Sequence, residues 1–192
     1  MIPVILASSS PRRHQLLNLA GIHHVVRPAD LDESALPGET PQVHAERLAV
    51  EKARTVARSD PSSMVVAADT IVVLGDEILN KPKSEEDAVR MLSRLAGRTH
   101  IVITGIACSL NGNIASAIET VSVTFRDLSE KEIREYVATG EPMDKAGAYG
   151  IQGYGSTIVR RIEGDYFAVM GLSLVRLIEL MRKLGVNYDF PR

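Results

Sequence analysis

Apolar and polar positions along this chain switch between a strand rhythm and a helix rhythm, and the switches mark its elements. Val4-Ile5-Leu6-Ala7 is a short apolar run of the kind a buried strand makes. Ser8-Ser9-Ser10 and Pro11 follow, and Leu16, Leu17 and Ala20 then recur at helical spacing up to Gly21. This predicts strand, tight loop and helix, with Ser10 as N-cap, proline where a missing N–H costs nothing, and glycine as the stop. His24 to Arg27 reads as a second strand, and the stretch from Pro28 to Glu39, rich in proline, glycine and acid, as a surface loop. Thr40-Pro41 repeats the cap-plus-proline start, and Val43, Leu48, Ala49, Ala53 and Val56 carry a second helix to about Arg58.

Met64 to Ala68 predicts a buried strand ending at Asp69, with Ile71 to Leu74 extended up to a Gly75-Asp76 turn and a return strand from Glu77 to Leu79. Ser84 caps a helix whose first turn holds Glu85, Glu86 and Asp87, where the macrodipole favours anions; Ala88, Met91, Leu92 and Leu95 form its apolar face until Gly97. Two long β-branched stretches, Thr99 to Leu110 and Ile114 to Phe125, flank Asn111-Gly112-Asn113 and predict a hairpin. Ser129 and Glu132 have capping-box spacing for a short helix through Val137. A glycine-rich loop from Gly140 to Gly155 follows, then a strand pair around Glu163-Gly164-Asp165 and a last helix from Ser173 to Leu184.

Strands and helices alternate through most of the chain, with hairpins inserted, which predicts an α/β fold: a mixed sheet with helices on both faces. At 192 residues, one domain over residues 1–192 is expected. With 45% apolar and 24% charged residues a core is available, built from Val, Ile, Leu, Ala and Met because aromatics are few and Trp is absent. The net charge of −2 and the lack of any basic stripe argue against a nucleic-acid partner. A single cysteine, Cys108, rules out an internal disulfide framework and fits a small core residue in a reducing compartment. Neither a basic leader nor a run long enough to span a bilayer is visible, so the expected location is cytoplasmic, with no membrane partner.

Four constellations can carry chemistry, and each also has a plain structural reading. Ser8-Ser9-Ser10-Pro11-Arg12-Arg13 places a helix N-terminus, a natural anion site, after the first strand. Two arginines there oppose the dipole preference, which a bound phosphate would reverse; otherwise they are solvated charges on a capped helix. Asp69, at the end of an apolar strand, stands where α/β sheets place ligands, though an Asp can also end a strand by bonding its own backbone. Glu33, Lys52 and Lys81 gain meaning only together, and Lys52 can equally edge the apolar stripe of its helix. Asp144 to Gly153 has glycines at 147, 150 and 153 but neither Walker nor Rossmann spacing, so by itself it shows only a tight loop. The histidines show no pair at metal-ligand spacing.

Taken in order, Leu6-Ala7-Ser8-Ser9-Ser10-Pro11-Arg12-Arg13, Ala68-Asp69-Thr70, Leu79-Asn80-Lys81-Pro82 and Asp144-Lys145-Ala146-Gly147-Ala148-Tyr149-Gly150-Ile151-Gln152-Gly153 resemble the Maf family of nucleotide pyrophosphatases, over residues 4 to about 174. None of these pieces is specific alone; the succession is. The resemblance implies an α/β fold shared with inosine triphosphate pyrophosphatases, a twisted mixed sheet, two lobes around a cleft, a nucleoside triphosphate substrate, a divalent cation (Mg²⁺ or Mn²⁺) and a homodimer. The wording Tyr149-Gly150-Ile151-Gln152-Gly153 resembles the branch acting on dTTP and UTP rather than the one acting on 7-methyl-GTP. The family's catalytic acid falls on Asp69, its phosphate and metal residues on Ser8, Arg12, Arg13, Glu33, Lys52 and Lys81, and its selectivity positions on Arg12, Thr70 and Gln152.

On that basis Arg12, Arg13, Lys52 and Lys81 are expected to neutralise phosphate charge, Glu33 and Asp69 to hold the metal, and Asp69 to orient or deprotonate the attacking water. Ser9, often glycine in the family, is the one departure in the first motif, of consequence only where that backbone needs positive φ. A non-catalytic nucleotide-binding regulator of septum formation is the rival class, and a hydrolase of modified pyrimidine nucleotides a further variant.

Overall fold

The computed structural model describes residues 2–190. Its described backbone resolves into two compact units, one of residues 2–69, 104–119 and 171–190, the other of 70–103 and 120–170. Among the described residues seven strands form one mixed sheet in the order β2-β1-β3-β5-β6-β7, with β4 paired to β3.

In the first unit, β1 (Val4–Leu6) leads through a loop into α1 (Pro11–Leu19), and the chain returns as β2 (Val25–Val26), parallel to β1. The long α2 (Pro41–Ala57) then feeds β3 (Met64–Leu74), which pairs parallel with β1 from Val4↔Met64 to Leu6↔Val66. Thr40 caps α2 by accepting from the Val43 N–H. Small residues let α2 approach the sheet: Ala49, Ala53 and Val56 pack with Ile5, Ala7, Val65, Ala67 and Ala107. The approach is close enough that a side chain at Gly105 would collide with the Ala45 carbonyl. The last helix, α6 (Leu174–Lys183), is capped by Ser173.

The second unit holds the end of β3, its antiparallel partner β4 (Glu77–Leu79), α3 (Glu85–Leu95), α4 (Glu130–Ala138), β7 (Val159–Glu163) and α5 (Tyr166–Met170). β5 (Thr99–Leu110) and β6 (Asn113–Phe125) belong partly to each unit and turn through Asn111 and Gly112, both at positive φ as a two-residue hairpin turn requires. Ser129 and Glu132 complete the expected capping box on α4. Leu92, Leu95, Val121, Val123, Phe125, Ile133 and Tyr149 are among the residues that form the core here. Cys108 is buried in β5 and its thiol is pushed up to about 12, so it stays protonated and inert.

Four local expectations need correction. β3 does not stop at Asp69 but runs on to Leu74, because Val72, Val73 and Leu74 find antiparallel partners in β4. No second strand follows the Gly164 turn; the Asp165 carboxylate accepts from the Phe167 N–H and starts α5 instead. Ser10 has the extended backbone of an N-cap, yet its side chain makes no capping bond. Val43 points outward, 53% exposed, while His44, Ala45 and Lys52 take the buried stripe of α2.

Candidate active site

The first unit holds six of the expected residues, Ser8, Arg12, Arg13, Glu33, Lys52 and Asp69. The loop after β1 folds so that the Ser8 hydroxyl oxygen accepts from the Ser10 N–H at 3.2 Å and from Arg13 Nη1 at 2.9 Å. With two donors on that oxygen, its own proton is left to donate elsewhere. Arg13 Nε also donates to the Gly171 carbonyl at 2.8 Å, so the guanidinium ties the loop after β1 to the segment before α6. Burial lowers its pKa below the usual arginine value, opposed by Asp69, reinforced by Arg12 and opposed again by Glu33. An arginine stays charged through such a shift. Ser9 does not have positive φ, so the departure from glycine at this position costs no strain.

Lys52 occupies the centre. It lies on the buried stripe of α2, 7% exposed, and its Nζ stands 2.6 Å from Asp69 Oδ1 and 2.6 Å from Glu33 Oε1. A buried ammonium persists only when paired, and here two carboxylates pair it. Asp69 follows the point where β1 stops pairing with β3, so it remains beyond the carboxyl end of a parallel strand although its own strand continues. Glu33 comes from the loop before α2, and its side chain is 56% exposed.

That loop has an anchor the sequence reading missed. The Glu39 carboxylate accepts from Arg47 Nε at 2.6 Å, Arg47 Nη2 at 2.9 Å and the Leu36 N–H at 3.0 Å, and lies 2.9 Å from His44 Nδ1. Arg47 Nη2 also donates to the Ser34 carbonyl at 3.0 Å, one residue beyond Glu33. The Arg47 hydrogen bonds hold the Glu39 carboxyl far below the usual carboxylate range. The available signal was the run of His44, Arg47 and Glu51 at three- and four-residue spacing behind Glu39.

Arg12 is half-buried in the first turn of α1. Thr70, Lys81 and Gln152 belong to the second unit: Thr70 follows Asp69 on β3, while Lys81 and Gln152 are exposed on loops. The expected glycine-rich loop is built of three single 3-10 turns, Glu141–Asp144, Ala146–Ala148 and Gly153–Thr157. Folding also brings His14 Nδ1 within 2.8 Å of His24 Nε2, but Asn18 and the Ile22 carbonyl engage the remaining ring nitrogens. Among the described residues no three His, Cys, Asp or Glu side chains converge as a metal site.

A parallel βαβ start, an antiparallel strand joined on, and charged side chains at the ends of the parallel strands define an α/β fold of the Ham1 kind. Over 97% of this chain and 91% of that one, it is similar to the Ham1 protein of Staphylococcus aureus with a TM-score of 0.52 at 17% identity. A HAM1 protein from Coxiella burnetii gives 0.51 at 13% identity, over 83% of this chain and 81% of that one. The chain belongs to the family described as Maf-like protein, whose model matches residues 3–184. It is 48% identical over 183 residues to a dTTP/UTP pyrophosphatase of Aquifex aeolicus, covering 95% of this chain and 96% of the relative. Corresponding proteins of a Geobacillus species (49%, 96% and 100% covered) and of Koribacter versatilis (50%, 95% and 95%) carry the same description.

Proposed function

We propose that this protein is a nucleoside triphosphate pyrophosphatase that hydrolyses dTTP and UTP to the monophosphate and pyrophosphate. The observation that carries the reading is Lys52, buried between Asp69 and Glu33 with Arg13 nearby, in a chain whose relatives at about half identity are described by that activity. The reading places the chain in the cytoplasm as a homodimer. Among the described residues, no helix is long and apolar enough to cross a membrane.

In this reading Arg12, Arg13, Lys52 and Lys81 neutralise the triphosphate, with the arginine forks suited to paired phosphate oxygens. The Ser8 hydroxyl, accepting from Ser10 and Arg13, directs its proton to a phosphate oxygen. Asp69 orients the attacking water and takes its proton as the anhydride bond breaks and pyrophosphate leaves with the bridging oxygen, a role worth typically ~10²–10⁴-fold. Lys52 fixes the Asp69 carboxylate for that task. Glu33 and Asp69, whose carboxylates meet at the Lys52 ammonium, would in this reading also hold a hard divalent cation such as Mg²⁺ or Mn²⁺ beside it, since Mg²⁺ is commonly held by one or two carboxylates with phosphate and water filling its shell. When bound, such an ion supplies further charge neutralisation for the triphosphate.

Base choice falls to Arg12, Thr70 and Gln152. The Gln152 amide offers one donor beside one acceptor, complementary to the O4 acceptor and N3–H donor of uracil and thymine. Pyrophosphate release from dTTP, UTP, CTP and 7-methyl-GTP with Mg²⁺ tests the proposal. Turnover should favour dTTP and UTP. Preference for 7-methyl-GTP would refute the branch, and nucleotide binding without pyrophosphate release would favour the regulator.

A further inference from the structure

The exposed Gln152 can read a base only if the backbone beneath it is held still, and one carboxylate and one hydroxyl hold it. Glu141, half-buried after the left-handed Gly140, accepts from the Tyr154 N–H through Oε2 at 2.9 Å and from the Gly155 N–H through Oε1 at 2.9 Å. The Tyr136 hydroxyl donates to Glu141 Oε1 at 2.8 Å and accepts from the Gly150 N–H at 3.1 Å. Both ends of the segment 150–155, with Gln152 between them, are thereby tied to one pair of side chains. Tyr136 is 7% exposed on α4, a helix whose start is fixed by its capping box, and Lys145 Nζ donates to the Glu141 carbonyl at 2.6 Å.

Packing around the pair leaves no slack. A side chain at Gly155 would strike the Gly150 carbonyl and the Tyr136 hydroxyl, and one at Gly153, at φ +63°, would strike the Glu141 carboxylate. The segment is folded back on itself at van der Waals contact, and the polar groups that hold it are satisfied by one another. A carboxylate accepting three donors makes charge-assisted bonds stronger than neutral ones, so the burden falls on Glu141.

We propose that Glu141 and Tyr136 are positioning residues for nucleotide selectivity, which set the 150–155 segment so that Gln152 presents its amide to the base. The inference rests on the reading of the chain as a dTTP/UTP pyrophosphatase with Gln152 as a selectivity residue. Neither group touches substrate; both act through the backbone that carries Gln152.

Steady-state kinetics of Glu141→Gln, Tyr136→Phe and Gln152→Ala with dTTP, UTP and CTP test it, alongside thermal melting and a Glu141→Asp variant. Losing one charge-assisted bond of this kind is worth about a tenfold change in an equilibrium. Glu141→Gln and Tyr136→Phe should therefore raise KM for dTTP and UTP about tenfold, change kcat less than about threefold, and erode the preference over CTP. Glu141→Asp should recover part of it, and the effect of Glu141→Gln should shrink in a Gln152→Ala background. Loss of kcat for all three nucleotides with a lowered melting temperature would mark a purely structural role and overturn the proposal. So would unchanged selectivity in Glu141→Gln and Tyr136→Phe while Gln152→Ala loses it. A wild-type protein inactive on dTTP and UTP, or a Gln152→Ala variant with intact selectivity, would instead overturn the reading beneath it.

Discussion

Acid should weaken the second unit through a single imidazole. His100 is 2% exposed, edge-on to Phe125 at 4.9 Å and to Tyr149 at 5.3 Å, with Nε2 2.7 Å from the Tyr149 hydroxyl. Its Nδ1 is buried without a hydrogen-bond partner among the described residues, so nothing compensates a charge on the ring. Burial pushes its pKa from 6.5 down to about 4. Between those values the unfolded chain binds the proton and the folded chain does not. Stability from this group is therefore complete above pH 6.5 and drains away as pH falls toward 4. At 1.36 kcal/mol per pKa unit the difference comes to about 3 kcal/mol. Urea unfolding from pH 7.5 to 4.5, followed by tyrosine fluorescence because Trp is absent, should show this loss in the wild type. His100→Gln, which keeps a partner for Tyr149 but does not titrate, should lose less by roughly that amount. Identical pH slopes for the two proteins would refute the assignment.

Other outcomes follow from the same structure. Asp69→Asn should leave the melting temperature within a few degrees while turnover drops ~10²–10⁴-fold, measured as pyrophosphate release; retained turnover would take the base role from Asp69. Arg47→Met removes the donors to Glu39 and to the Ser34 carbonyl, and should speed amide hydrogen exchange across residues 30–36 and raise KM, whereas unchanged exchange there would show that Glu33 is held by other means. Gly105→Ala drives a methyl group into the Ala45 carbonyl, and a cost of about 1–3 kcal/mol is expected in urea unfolding; a neutral result would mean that α2 and β5 can separate freely.

Several local signals were readable in the sequence because the residue acts on its own neighbours. Thr40, Ser84 and Ser129 each cap the helix they precede, and Asn111-Gly112 makes the hairpin turn. Ser10, which makes no capping bond, and Asp165, which starts α5, were misread locally; the other misreadings came where a distant partner decides. The continuation of β3 depends on β4, and the phase of α2 depends on the sheet that Ala49 and Ala53 meet, which sends Val43 outward and draws Lys52 inward. Residue pattern alone left Lys52 open between a stripe edge and a site residue, because nothing in its own helix announces that Glu33 and Asp69 will flank it. Arg47 and Glu141 escaped for a related reason: both act on backbone groups, which a sequence does not print.

The hydrogen bond from Arg13 to the Gly171 carbonyl spans 158 positions, and α6 lies beyond it. During synthesis the first helix emerges long before its acceptor exists, so Arg13 cannot make this bond until Gly171 has left the ribosome. A prematurely terminated product would carry the serine-rich loop, the lysine and both acids, yet lack the clasp on its arginine. Synthesis through Gly171 is thus written into the geometry as a condition for fixing the arginine at the start of α1.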